Sequence, residues 1–300
     1  MSARPTLVHL HIPKCGGTTV SRMLKSRMLA GAPWLARDLD LALGLPSAGA
    51  LEDRLAKLAA LPEAKKQYVR SLEAHCGWGL QDRVPSPTLT FTYLRDPVRR
   101  VLSVHHAVKR DGLVDASESL DDFLMRSAPP RPAWHFDNGM VRYLAGADTD
   151  ILDVPTGDVT NDHLELAWER LRSLPMFGLL ERFDDSASML LEKLGWSRAI
   201  HRRSNTMSAS RGIDTLSADT RDLLQSRTNL DAQLYARAQE DFERRVVDGG
   251  IAFTQRVQRF KRFNRRASRV LAPAYGVLER RADAKRGRLR GTEWTVSDLD

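Results

Sequence analysis

Three hundred residues, 42% hydrophobic and 28% charged, suffice for one large core or two modest ones and exclude a disordered or collagen-like chain. The net charge of +8 sits at one end: residues 255–300 hold 13 Lys and Arg against 5 Asp and Glu, whereas residues 1–254 hold 33 of each sign. A neutral body offers no general basic field, so any anion it binds must be held by a few placed donors. It also lacks the basic and aromatic interleaving of single-strand binders, so no nucleic-acid partner is expected. No apolar run approaches the roughly 20 residues of a bilayer span. Met1 is followed within a few residues by a strand-like segment, which argues against a signal peptide. Cys15 and Cys76 cannot form a disulfide framework, and no Cys/His spacing fits a structural zinc site. A soluble protein of a reducing cytoplasm is expected.

In chain order, Thr6–Ile12 alternates as a short strand and Thr18–Leu29 is helical. Tyr68–Ala74 and Leu89–Leu94 read as further strands. Helical periodicity covers 97–109, 119–127, 135–145, 161–174, 184–194, 217–227 and 230–247, with one more buried strand at Met176–Leu180. Strands alternating with helices predict an α/β fold with a mostly parallel sheet and ligands at the carboxyl ends of its strands. The Pro/Ser-rich stretches Val84–Pro87 and Pro129–Pro132 are too short to be linkers. One domain over 1–254 followed by a basic tail over 255–300 is therefore expected.

Two segments carry the chemistry. His11-Ile12-Pro13-Lys14-Cys15-Gly16-Gly17-Thr18-Thr19 follows a strand and opens a helix, where backbone N–H groups converge and the helix dipole favours an anion. Paired glycines let that backbone close round phosphate oxygens, Lys14 adds a positive charge, and Thr18 and Thr19 add hydroxyls. In a Walker A loop the lysine follows the last glycine; here it precedes both, which argues against an ordinary ATPase or kinase. A tight strand-to-helix turn with a solvated lysine is the plainer reading. Further on, Leu89–Leu94 runs into Arg95-Asp96-Pro97, which puts a guanidinium fork at the carboxyl end of a strand. Ser103 lies two helical turns on, within reach of the same ligand. Taken alone, Arg95 and Asp96 also read as a local ion pair.

The pair HIPKCGGTT and TYLRDPVRRVLSVHH, in this order, resembles the two cofactor signatures of sulfotransferases that use 3′-phosphoadenosine 5′-phosphosulfate (PAPS), of the heparan sulfate 2-O-sulfotransferase type. The likeness continues more loosely through Asp137–Gly146, Gly178–Phe183 and Leu230–Tyr235, so that it spans roughly residues 5–247. It implies a P-loop-like three-layer α/β fold with many helices. It also implies a 5′-phosphosulfate held by Lys14, Cys15, Gly16, Gly17, Thr18 and Thr19, and a 3′-phosphate held by Arg95 and Ser103. The product would be adenosine 3′,5′-bisphosphate, the acceptor a hydroxyl of a carbohydrate or glycolipid, and no metal would be required. Cys15 departs from the Thr or other small residue more usual in such loops. A thiol at a helix N-terminus beside a lysine can have a lowered pKa, although a small side chain tolerated in a backbone-built loop explains it as well.

In-line transfer to an alcohol needs a group that accepts the hydroxyl proton and positive charge at the leaving oxygen. His75 ends a strand at the ligand edge of the sheet, suits general-base work and matches a histidine between the two signatures of the family, where Ala74 replaces a common glycine. Lys14 is the companion catalytic charge. His135, Asn138 and Arg142 share one helical face and are expected acceptor contacts, the alternative being a solvated face. Arg203, Ser204 and Thr206 form a basic, hydroxylic loop of the kind with which such enzymes close over the nucleotide. In the tail, Phe260, Phe263, Ala267 and Val270 recur at helical spacing amid arginines, an amphipathic basic helix. It fits peripheral contact with the inner membrane face, or packing on the body. A nucleotide-dependent small-molecule kinase and a non-enzymatic protein of anionic surfaces are the competing readings.

Overall fold

The computed structural model describes residues 5–29, 39–44, 69–75, 77–83, 87–130, 135–146, 153–201 and 216–267, with positions 56, 59, 60 and 62. Five strands, β1 (Thr6–Leu10), β2 (Leu39–Gly44), β3 (Val69–Ala74), β4 (Thr88–Leu94) and β5 (Met176–Leu179), form one sheet in the order β2-β3-β1-β4-β5. Every pairing is parallel. All five residues of β1 are buried, as a parallel strand covered on both faces requires.

The covering helices come from both sides. On one face, Ser21 of α1 (Gly17–Leu29) hydrogen-bonds Glu73, and Tyr93 meets Phe183 of α6 (Phe183–Lys193) at 6.0 Å between ring centroids. On the other, Arg245 of α7 (Ala218–Asp248) lies over Phe177, 4.6 Å from its ring centre. The chain is thus a three-layer α/β fold with many helices, as expected. Between β4 and β5 run α2 (Pro97–Arg110), α3 (Leu120–Leu124), α4 (Gly139–Ala145) and α5 (Asn161–Ser173). Asp96 caps α2 by accepting from the Arg99 N–H at 2.8 Å, and Pro97 fills the first helical position, where no donor is needed.

Several boundaries differ from the sequence reading. Strand β2 was not expected, although Leu39, Leu41 and Leu43 alternate with Asp40, Ala42 and Gly44. The helix expected over 135–145 starts only at Gly139, because Asn138 adopts a left-handed conformation (φ 45°) and sends its side chain across to α7. There its Oδ1 accepts from the N–H groups of Leu230 (2.9 Å) and Asp231 (3.1 Å), while its own N–H donates to the Arg227 carbonyl. The two helices expected at 217–227 and 230–247 are one, and Asn138 bonds its backbone on both sides of the expected break. Asp231 returns the favour by accepting from the Met140 and Val141 N–H groups at the start of α4.

The expected division at 254/255 does not coincide with an element boundary. It falls inside α8, a helix over residues 250–267. Phe253, Val257 and Phe260 of that helix are buried, Phe260 stacks on His201, and Asn264 accepts from the His201 N–H and donates to the Ala199 carbonyl. The first part of the basic segment therefore belongs to the body; Val270 and the remainder lie outside the described residues. Among the described residues no helix is long and apolar enough to cross a membrane.

Candidate functional site

The central strand β1 ends between β3 and β4, and its following loop is tied to both. On the β3 side the His11 N–H donates to the Ala74 carbonyl (3.0 Å), and Nδ1 of His75 donates to the His11 carbonyl (2.8 Å). On the β4 side Thr92 Oγ1 donates to the Leu10 carbonyl (2.7 Å), and Nη1 of Arg95 donates to the Lys14 carbonyl (3.1 Å). Lys14, Arg95 and His75, taken from three separate segments, thus converge on one loop at the carboxyl edge of the sheet.

The loop has the backbone that an anion cradle needs. Lys14 and Gly16 have positive φ (68° and 90°), which turns successive peptides inward. Among the described residues the N–H groups of Gly16, Gly17 and Thr18 donate to nothing in the chain, whereas Thr19 and Val20 already donate to the Gly16 carbonyl. A Cβ on Gly17 would stand 1.9 Å from Nε2 of His11, so the imidazole occupies the space that only glycine leaves open. Gly17→Ala is expected to displace the His11 ring and with it the loop, abolishing stabilisation by adenosine 3′,5′-bisphosphate in a thermal melt. Unchanged stabilisation would show that the loop tolerates the side chain.

Lys14 is half-buried, and burial, followed by the nearby charges of Arg110 and Arg95, lowers its pKa. Arg95 is half-buried too, with an Nε atom that is buried and unpartnered. An unpaired guanidinium nitrogen beside three free amides is costly unless an anion completes it. These atoms fit phosphate or sulfate groups. Thr18 is exposed and Thr19 buried at the first turn of α1, and Ser103 stands half-buried two turns into α2, with no hydrogen bond to Arg95 among the described residues.

His75 is half-buried, with its ring 3.9 Å from that of His11. A carbonyl only accepts, so the neutral ring carries its hydrogen on Nδ1 and a lone pair on Nε2. Burial, then the adjacent His11, pushes its pKa well below the ordinary value, which keeps it neutral at pH 7. Glu73, whose charge would be raised in pKa by burial, is instead held well below the carboxylate range by the imidazoles of His11 and His9.

Cys15 is not an activated thiol. It is 1% exposed, and burial pushes its pKa up to about 12 despite Arg100 and Arg95 nearby. The small-residue reading is the one that the geometry favours. At pH 8 only about one thiol in 10⁴ would be ionised. Iodoacetamide should therefore leave the Cys15 peptide unmodified in the native protein over a time that labels the denatured chain fully, as read by peptide mass spectrometry. Rapid native labelling would contradict this.

Among the described residues the expected acceptor face is buried. Arg142 is fully buried, with Nε and Nη2 on Asp137, Nη1 on the Val154 carbonyl and Nη2 on the Pro155 carbonyl. Asn138 is spent on α7 as described above, and His135 is 3% exposed, its carbonyl accepting from Arg100. All three point into the body and not to solvent. Arg203, Ser204 and Thr206 lie outside the described residues.

The sequence did not single out Tyr235, whose hydroxyl donates to Oε2 of Glu181 at 2.6 Å while Oε1 of Glu181 accepts from the Asp96 N–H. This link ties the ends of β4 and β5 to α7 beside the loop. Burial and the Glu181 carboxylate raise the Tyr235 pKa, so it acts as a donor only. Leu180 completes this wall by packing against Gly16. No protein-family model matches the chain, and no curated protein matches it.

Proposed function

We propose that the chain is a PAPS-dependent sulfotransferase that transfers a sulfuryl group to a hydroxyl of a carbohydrate or glycolipid. The observation that supports it best is the junction of the Lys14 loop, Arg95 and His75 at the end of one parallel strand. An anion cradle and a base with a free nitrogen thereby lie at one edge, next to a guanidinium whose Nε has no partner. PAPS, when bound, supplies an activated sulfur whose bond to the phosphate oxygen breaks in the transfer. The loop amides and Lys14 hold the phosphosulfate and stabilise charge on the departing oxygen. Arg95, with Ser103, holds the 3′-phosphate by charge-assisted hydrogen bonds. Nε2 of His75 takes the acceptor proton as the hydroxyl oxygen bonds to sulfur, and Nδ1–H stays on the His11 carbonyl throughout.

Adenosine 3′,5′-bisphosphate should raise the melting temperature without magnesium, because placed cationic donors take the role that a metal plays in kinases. Arg95→Ala should abolish most of that rise, since each lost charge-assisted bond is worth about 1.5–3 kcal/mol. Differential scanning fluorimetry with the bisphosphate, ATP–magnesium and a short oligonucleotide decides between the readings. Stronger protection by ATP–magnesium would replace this proposal with a kinase.

A further inference from the structure

We propose that His9, His11 and Glu73 form a binding site for one divalent transition cation of the zinc class, separate from the sulfuryl chemistry. His9 and His11 alternate on β1 and so share one sheet face, and Glu73 is the register partner of His9 on β3. The two imidazole rings stack in parallel, 5.0 Å apart and 9° from coplanar, and both present Nδ1 to the same carboxylate oxygen, Oε1 of Glu73. The three ligating atoms lie within 4.8 Å of one another.

Two further observations point to an occupant. Nδ1 of His9, a side chain 3% exposed, has no hydrogen-bond partner and stands 3.5 Å from Oε1. A cavity of about 10 Å³ that has room for roughly one water is lined by His9, Glu73 and Ser21, though not by His11, with Leu7, Leu72 and Phe91 on its apolar side. Two imidazoles and one carboxylate are a zinc-class donor set, whereas calcium and magnesium prefer oxygen alone. Zinc bonds of about 2.0–2.2 Å in a tetrahedron separate neighbouring ligand atoms by about 3.3–3.5 Å. The His9 to Glu73 distance already matches. The His11 Nδ1 to Oε1 distance of 2.7 Å must open by about 0.7 Å as the shared proton gives way to the ion. Ser21 Oγ donates to the other carboxylate oxygen and fixes its orientation. The ion would clamp β1 to β3 beneath Gly17 and His75, bracing the loop from below.

The test is metal retention by the full chain. After treatment with a chelator, dialysis and addition of Zn²⁺, one equivalent should survive gel filtration, read by atomic absorption. Glu73→Gln, which keeps shape and the Ser21 contact, should lower Zn²⁺ affinity at least 100-fold, as should His9→Ala, while His106→Ala at an exposed imidazole should change nothing. Absence of retained zinc in the wild type, or equal retention in Glu73→Gln, overturns the site and leaves the cluster as a proton-bonded network. If His9→Ala does not fold, the Cu²⁺-loaded wild type decides by electron paramagnetic resonance: two coupled imidazole nitrogens are expected, and one or none overturns the proposal.

Discussion

Replacing His75 by alanine is expected to lower turnover by about 10²–10⁴ while leaving the affinity for adenosine 3′,5′-bisphosphate nearly unchanged, the range set by a positioned general base. The division follows from position. Among the described residues His75 touches the loop through the His11 carbonyl and its ring, whereas the donors proposed for the phosphates are the amides of Gly16, Gly17 and Thr18 with Lys14 and Arg95. Lys14→Ala should behave differently, weakening bisphosphate binding and slowing the chemical step together, since it removes charge that acts in the ground state and at the leaving oxygen. Calorimetric binding of the bisphosphate and transfer from labelled PAPS to candidate acceptors supply the two readouts. Near-normal turnover at saturation in His75→Ala, with weakened binding, would take the base role from this residue.

How much of this site can be read from the chain depends on how far apart its parts lie. The Lys14 loop and the Arg95 segment are each local signals, a glycine pair after a strand and a proline opening a helix, and both stand where their neighbours in sequence imply. That Arg95 bonds the Lys14 carbonyl is a property of strand order, which no spacing encodes. Glu73 escaped notice for the same reason: it reads as an ordinary strand residue until β3 is paired with β1 and faces His9 and His11. The polar face of His135, Asn138 and Arg142 misled because helical spacing shows which side chains share a side and not which side is inward. A fully buried arginine is legible only when Asp137 and the carbonyls of Val154 and Pro155 are seen around it. A helical break near residue 228 is what local propensity favours, since Thr228 and Asn229 are weak formers. Tertiary bonds override it: Thr228 Oγ1 donates back to the Leu224 carbonyl and Asn138 satisfies the amides beyond.

Arg142→Met should cost about 3–5 kcal/mol of stability, because it leaves the buried Asp137 carboxylate without its guanidinium partner. For a body of this size a loss of that magnitude lowers the melting temperature by about 10 °C. Asp137→Asn should cost less. The amide loses the charge but can still accept from Arg142 Nη2 and from the Gly157 N–H, which both reach Oδ2 in the native protein. Arg142→Lys should fall between the two, since a point donor cannot serve the Asp137 carboxylate and the Val154 and Pro155 carbonyls at once. These ranks separate an internal brace from an acceptor contact. A brace gives large melting shifts with the Michaelis constant for acceptor unchanged in whatever enzyme remains folded. A stable Arg142→Met protein with a raised acceptor constant would instead mean that this helix opens to the substrate, and Asn138 would then have to be released from Leu230 and Asp231 in the same movement.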